Sequence, residues 1–178
     1  MPHPERVATQ YPYQLSGGMR QRVMIALALS GHPRLLIADE PTTALDVTTQ
    51  AEILTLLDDL RAELGMALLL ISHDLAIVAE RCDRVSVMYA GRIVESAPAD
   101  RLFGAPRHPY TRGLMAAVPA GHGSRLHVIP GEAPSASQPS AGCRFAPRCG
   151  EVMPRCRTSA PSLREPSPDH RVACFLYE

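Results

Sequence analysis

Apolar positions in the first hundred residues follow two rhythms. Residues 18–30 read as a helix, with Ser16 near its start and Gly31-His32-Pro33 closing it. A second helix is capped by Asp46, carries Ile53, Leu56, Leu57, Leu60 and Leu64 at helical spacing on one face, and exits at Gly65. Between the helices lie short unbroken apolar runs, residues 35–38 and 66–71, the pattern of strands buried on both faces of a parallel sheet. Asp39-Glu40-Pro41 closes the first run and Ser72-His73-Asp74 the second. A short helix through Arg81, a strand over residues 84–89, a turn at Ala90-Gly91 and a strand over residues 92–95 follow. The order helix, strand, helix, strand, helix, hairpin predicts a layered α/β domain with right-handed crossovers and functional groups at the carboxyl ends of its strands. Asp39, Glu40 and His73 stand at those ends.

Composition then divides the chain. Twelve of the 17 prolines fall at or after Pro98, whereas residues 15–97 hold only Pro33 and Pro41. A regular domain over 1–97 is therefore expected to precede a loop-rich extension over 98–178, with residues 119–142, rich in Pro, Gly, Ser and Ala, as an internal linker.

All 18 basic residues are Arg, and they balance 18 acidic ones. A formally neutral chain has no global field to draw nucleic acid or anionic lipid, so neither is expected as a partner. Without any Lys there is no Schiff-base chemistry and no G-x-x-x-x-G-K-[ST] phosphate loop. The longest apolar runs fall short of the roughly 18 residues of a membrane span. Residues 1–5 show no basic stretch leading into an apolar one, so no secretory signal is expected and the cytosol is the default location.

Three segments carry chemistry: Leu15-Ser16-Gly17-Gly18-Met19-Arg20-Gln21-Arg22, then Leu35-Leu36-Ile37-Ala38-Asp39-Glu40-Pro41-Thr42, then Ile71-Ser72-His73-Asp74. Gly17 and Gly18 let backbone N–H groups at a helix start approach an anion. Two adjacent carboxylates, Asp39 and Glu40, repel one another unless a divalent cation is near. Together with Ala44-Leu45-Asp46, this ordered set resembles the nucleotide-binding subunit of ATP-binding-cassette (ABC) transporters. The resemblance implies a partial P-loop NTPase fold with a mainly parallel sheet, and ATP and Mg²⁺ as ligands. It implies that Asp39 holds Mg²⁺, that Glu40 is the general base, and that His73 reaches the γ-phosphate. It assigns Ser16, Gly17, Gly18 and Gln21 to ATP held by a second ATPase subunit, and Asp46 to the loop between the two subunits. The family's Walker A loop has no counterpart in this sequence, so the chain reads as the carboxyl-terminal portion of such a subunit, inactive alone.

Cys143, Cys149, Cys156 and Cys174 form C-x5-C-x6-C-x17-C, whereas Cys82 lies apart and reads as a buried thiol. Disulfides suit secreted proteins, zinc more often takes close C-x2-4-C pairs, and an iron–sulfur cluster takes four thiolates. Arg144, Arg148, Arg155 and Arg157 interleave the first three cysteines, as charge to offset an anionic cluster or as solvated surface. This cysteine set, with Arg107-His108-Pro109-Tyr110-Thr111 and Ile129-Pro130-Gly131, resembles the carboxyl-terminal extension of oligopeptide/dipeptide ABC importer ATPases, which implies a [4Fe-4S] cluster. The same resemblance implies a peptide importer at the cytoplasmic face of the membrane, with two permease subunits and, indirectly, an extracytoplasmic peptide-binding protein. A non-enzymatic remnant, or a metal-binding module lending only its Ser16–Gly18 loop to a partner, is the alternative. An ABC ATPase of DNA repair would carry long coiled coils or DNA-binding insertions, and neither pattern occurs here.

Overall fold

The computed structural model describes residues 4–117, 128–132, 134 and 141–178, so most of the linker expected over 119–142 lies outside the described residues. The chain divides into two compact units, 1–73 and 74–178.

The first unit opens with a short helix, α1 (Pro4–Ala8). Helix α2 (Gly17–Leu29) begins one residue earlier than the apolar rhythm suggests because Ser16 is its cap, its Oγ accepting the Met19 N–H at 3.3 Å. Strand β1 (Leu35–Asp39) follows, then helix α3 (Val47–Leu64), capped by the Asp46 carboxylate, which accepts the Thr49 N–H at 2.9 Å. Gly65 ends α3 at φ 62°, a left-handed conformation that costs glycine nothing. Strand β2 (Ala67–Ile71) then pairs parallel to β1, in register from Leu35↔Ala67 to Asp39↔Ile71. A parallel pair needs a long crossover, which α3 supplies.

Ile25, Leu36, Ala38, Ile53, Leu57 and Met66 form the core of this unit. The strands are not buried on both faces, as their unbroken apolar runs suggested. Leu36 and Ala38 are buried, whereas Leu35 and Ile37 are 50% and 58% exposed, and Leu69 and Ile71 turn outward in step with them. Helices α2 and α3 cover one face of the pair within the unit, so every second side chain faces outward.

The second unit starts with helix α4 (Leu75–Arg81), whose cap Asp74 accepts the Ala76 N–H at 2.9 Å. Cys82 is its C-cap and is half-buried against the core rather than fully enclosed. Strands β3 (Arg84–Tyr89) and β4 (Arg92–Pro98) turn at Ala90 and Gly91, both left-handed. Strand β4 runs three residues past its expected end at Glu95. Helices α5 (Ala99–Gly104), α6 (Pro109–Ala117) and α7 (Pro154–Thr158) precede two short strands, β5 (Arg164–Ser167) and β6 (His170–Val172).

The hairpin is therefore not the end of the sheet. The order is β3-β4-β6-β5, antiparallel throughout, with Glu95↔Val172 and Ser96↔Arg171 joining β4 to β6. Parallel pairing among the described residues is confined to β1 and β2, because the two-residue turns at 90–91 and 168–169 permit only antiparallel neighbours. The α/β class holds, with its strands in two sheets rather than one mainly parallel layer.

The Glu95 side chain is fully buried. One oxygen accepts the Arg107 N–H at 2.7 Å and lies 2.7 Å from His170 Nε2; the other accepts the His108 N–H at 2.9 Å. Strand β6 and the entry to α6 are thus tied to one carboxylate of β4. Removing it leaves three buried donors unpaired, so Glu95→Ala should destabilise the chain by about 3–5 kcal/mol. Arg84→Ala, which breaks an exposed 3.0 Å pair with Asp169, should cost under about 1 kcal/mol. Urea unfolding of the two variants checks this; equal midpoints would refute the role given to Glu95.

Candidate functional site

In the first unit, the chain leaving β1 makes a strained turn. Glu40 donates its N–H to the Ile71 carbonyl at 2.9 Å, extending the ladder by one bond, but sits at φ 45°, and Ala44 at φ 66°. Left-handed backbone at residues with a Cβ is uncommon and persists where surrounding contacts impose it. The turn lifts the Glu40 carboxylate clear of the sheet, where Thr43 Oγ1 donates to Oε2 at 2.6 Å and His73 Nδ1, from beyond β2, donates to Oε1 at 2.8 Å. Those hydrogen bonds, Thr43 first and His73 second, hold its pKa below the usual carboxylate range. Asp39, one residue back and exposed, takes no hydrogen bond from the described residues. A carboxylate fixed at both oxygens beside an unengaged one can position a nucleophile next to a cation.

The structure thus brings Glu40 and His73 together as the sequence anticipated, and adds Thr43, whose only sequence signal is its place just after the carboxylate pair. Ser16, Gly17 and Gly18 lie at the other group of interest, the start of α2, where they meet the start of α3. A Cβ on Gly17 would come within 3.0 Å of Leu45 Cδ2, and one on Gly18 within 2.6 Å of Thr49 Cγ2. The glycines are therefore demanded by packing against the Asp46 segment as well as by any anion. Asp46 accepts both the N–H and, at 2.7 Å, the hydroxyl of Thr49, which lowers its pKa. Gln21 is half-buried on α2.

In the second unit, Cys143, Cys149, Cys156 and Cys174 line one narrow pocket, and all are free thiols. Each sulfur accepts backbone N–H donors: Cys143 from Phe145 and Ala146, Cys149 from Glu151, Cys156 from Met153 at 3.4 Å, and Cys174 from Leu176. Burial nevertheless pushes the Cys143, Cys149 and Cys174 thiols upward, and their mutual repulsion adds to it. Gly142 sets the closure, since a Cβ there would meet the Cys156 carbonyl at 2.4 Å. No group of three or more His, Cys, Asp or Glu among the described residues is arranged to hold a metal ion.

The interleaved arginines do not converge on the sulfurs. Arg144 donates to the Ala90 carbonyl, Arg148 to the carbonyls of Ile129 and Pro130, and Arg155 to the Phe175 carbonyl, with its guanidinium 4.1 Å over the Phe175 ring. They staple the loops instead. The residue that sequence reading left out of the site is His108, 1% exposed on the pocket wall, 5.7 Å from the Phe145 ring, and pushed down to about pH 4 by burial. Its signal was the Arg107-His108-Pro109-Tyr110-Thr111 run.

Comparisons with known proteins bear on both units. Residues 1–43 match the family model of the ABC transporter, and residues 94–156 match that of the oligopeptide/dipeptide transporter, C-terminal region. The oligopeptide transport ATP-binding protein AppD of Bacillus subtilis is 53% identical over 98% of this chain and 54% of its own. A Sinorhizobium fredii protein, y4tR, named as a peptide ABC transporter ATP-binding protein, is 56% identical over 97% of this chain and 52% of its own. The chain spans about half the length of these relatives. Among solved structures, cbiO1 of Clostridium perfringens, titled as part of the ABC transporter complex cbiONQ, overlays 52% of this chain and 37% of its own at TM-score 0.49 and 39% identity.

The glycine packing has a direct test. Gly18→Ala should destabilise the chain by about 1–3 kcal/mol through overpacking. Thr49→Ser deletes the obstructing methyl and keeps the hydroxyl bonded to Asp46, so in that background Gly18→Ala should be neutral or stabilising by up to about 1 kcal/mol. Additive effects in the double-mutant cycle would refute the contact.

Proposed function

Because this chain belongs to the ATP-binding proteins of oligopeptide/dipeptide ABC transporters, we propose that it is the carboxyl-terminal part of a subunit that hydrolyses ATP to power peptide import. The observation that carries this reading is the Glu40 carboxylate held between Thr43 and His73 at the end of β1, with Asp39 open beside it. Asp39 would hold Mg²⁺, which supplies charge neutralisation at the phosphates. Glu40 accepts the proton of the attacking water, and His73 orients that carboxylate and the phosphate. Ser16, Gly17, Gly18 and Gln21 address ATP bound by a second ATPase subunit, with Asp46 at the subunit boundary. The subunit works at the cytoplasmic face of the membrane against two permease subunits, and a peptide-binding protein delivers cargo to them. No helix among the described residues is long and apolar enough to cross a membrane.

The four cysteines fit a [4Fe-4S] cluster by donor set: four unpaired thiols on one pocket, each with a backbone N–H already directed at sulfur. Such donors favour thiolate over thiol. A single zinc draws its four sulfurs to about 3.8 Å from one another, by the 2.3 Å Zn–S bond and tetrahedral geometry. No group of the described residues is arranged to hold a single metal ion, so cluster and zinc are to be told apart by metal content rather than by geometry. Bound there, the centre would supply folding free energy to an extension with little apolar content.

A chimera joining the unmatched part of AppD to this chain should hydrolyse ATP, and Glu40→Gln should lower its rate at least about 100-fold; an unchanged rate overturns the assignment. The 178 residues alone, with no Lys to cradle phosphate, should show no turnover above their own Glu40→Gln control. Anaerobically purified chain should contain iron and acid-labile sulfide in equal amounts. One tightly bound zinc without iron would reject the cluster.

A further inference from the structure

A second cavity in the extension has a different chemistry from the sulfur pocket. Its volume is about 370 Å³, at the lower end of what small-ligand sites occupy, and all of its lining belongs to the second unit. The floor is apolar and fixed. Tyr89, Val94, Phe145 and Ala173 are buried there, with Phe145 edge-on to Tyr89 at 5.2 Å. The His108 ring completes the floor; its Nδ1 accepts the Tyr110 N–H at 3.0 Å, which places the proton of the neutral ring on the other nitrogen. Burial keeps that ring uncharged, its pKa pushed down to about 4. Ala160, Ser162 and Leu163, all exposed, form the mouth.

The charged groups at this cavity are Arg92 and Arg144, and no Asp or Glu lines it. Elsewhere in the unit Arg84, Arg112, Arg155, Arg164 and Arg171 each reach a carboxylate. These two do not. Arg144 donates one N–H to the Ala90 carbonyl, and Arg92 makes no hydrogen bond or ion pair among the described residues. Residues 118–140 hold a single acid, Glu132, which is not part of the lining. Two guanidiniums brought to one largely apolar cavity without a counter-charge repel one another in a medium that screens them poorly. An anion removes that cost, and the guanidinium fork matches the two oxygens of a carboxylate.

We infer that this cavity is a binding site for a small monocarboxylate with an apolar body, its head at Arg92 and Arg144 and its body on the floor of Tyr89 and Phe145. The polar side chains left over are too few to desolvate a phosphate dianion, since the Tyr89 and Ser162 oxygens already accept from Arg148 and Arg164. Bound there, the ligand bridges the β3–β4 hairpin to the loops at 142–145 and 160–163.

The test titrates the full chain with 4-phenylbutyrate, followed by nuclear magnetic resonance. Saturable binding is expected with a Kd at or below about 1 mM, the range open to a ligand of that size. 4-Phenylbutan-1-ol, its uncharged counterpart, and acetate, the head alone, should each bind at least about 10-fold more weakly. Arg92→Gln removes an exposed cation and should keep the fold while weakening 4-phenylbutyrate roughly 10- to 100-fold. Arg157→Gln, at an exposed arginine outside the lining, should leave the affinity unchanged. Where a variant does not fold, the comparison of acid and alcohol on the unmutated chain decides. Equal affinity for acid and alcohol overturns the role of the arginines, and equal affinity for acetate overturns that of the apolar floor. The same weakening from Arg157→Gln reduces the effect to overall charge, and the absence of saturable binding rejects the site.

Discussion

Glu95 is sealed from water on β4, and both of its oxygens are occupied by donors from elsewhere: Arg107 and His108 backbone N–H groups ahead of α6, and His170 on β6. An unpaired carboxylate in that position would cost several kcal/mol, so the segments that satisfy it cannot leave. This constraint turns a simple β3–β4 hairpin into the base for a loop-rich extension. Once residues 107–108 are fixed, Tyr110 comes within 4.6 Å of the Tyr89 ring and 5.5 Å of Phe145, and Phe145 meets Tyr89 edge-on at 5.2 Å. Phe145 lies between Cys143 and Cys149. The aromatic cluster thus holds the cysteine loop on the sheet by burial and ring geometry.

The sulfur pocket depends on that scaffold and on two local devices. Backbone N–H donors converge on the sulfurs because each cysteine opens or closes a tight turn, as at the 3₁₀ turns over 146–148 and 175–177. Gly142 lets residues 141–143 run against the Cys156 carbonyl, where no side chain fits. The arginines between the cysteines then serve as straps, bonding loop carbonyls that have no strand to pair with. The polar contacts to the sulfurs come instead from neutral backbone N–H groups, which burial does not penalise as it penalises an ion.

The first unit is governed by helix entry and strand exit. Ser16, Asp46 and, at the start of the second unit, Asp74 cap three helices with side-chain oxygens, each satisfying donors that would otherwise be orphaned. The positive-φ turn at Glu40 is the opposite case, local strain retained where the backbone bond to Ile71 and the clasp of Thr43 and His73 outweigh it. This strained turn is the feature of the unit on which the proposed role of Glu40 rests.

Much of this was legible in residue order. Helix caps and strand ends follow from short-range rules, because capping, periodicity and turn chemistry act over a few residues; the meeting of Glu40 with His73, 33 residues on, had no such rule behind it and was suggested by the family resemblance. The four cysteines suggested by number that they would be gathered, and they line one pocket. What the sequence could not show depends on distant segments meeting. The unbroken apolar runs at 35–38 and 66–71 suggested two covered faces, yet how many faces are covered is decided by neighbours, not by the strand. Glu95 looked like the end of a hairpin, and only the return of β6, some 75 residues later, makes it a buried acceptor. His108 carried no sign of which nitrogen bears its proton. The backbone of Tyr110 decides that, and a tautomer is a property of the fold rather than of the residue.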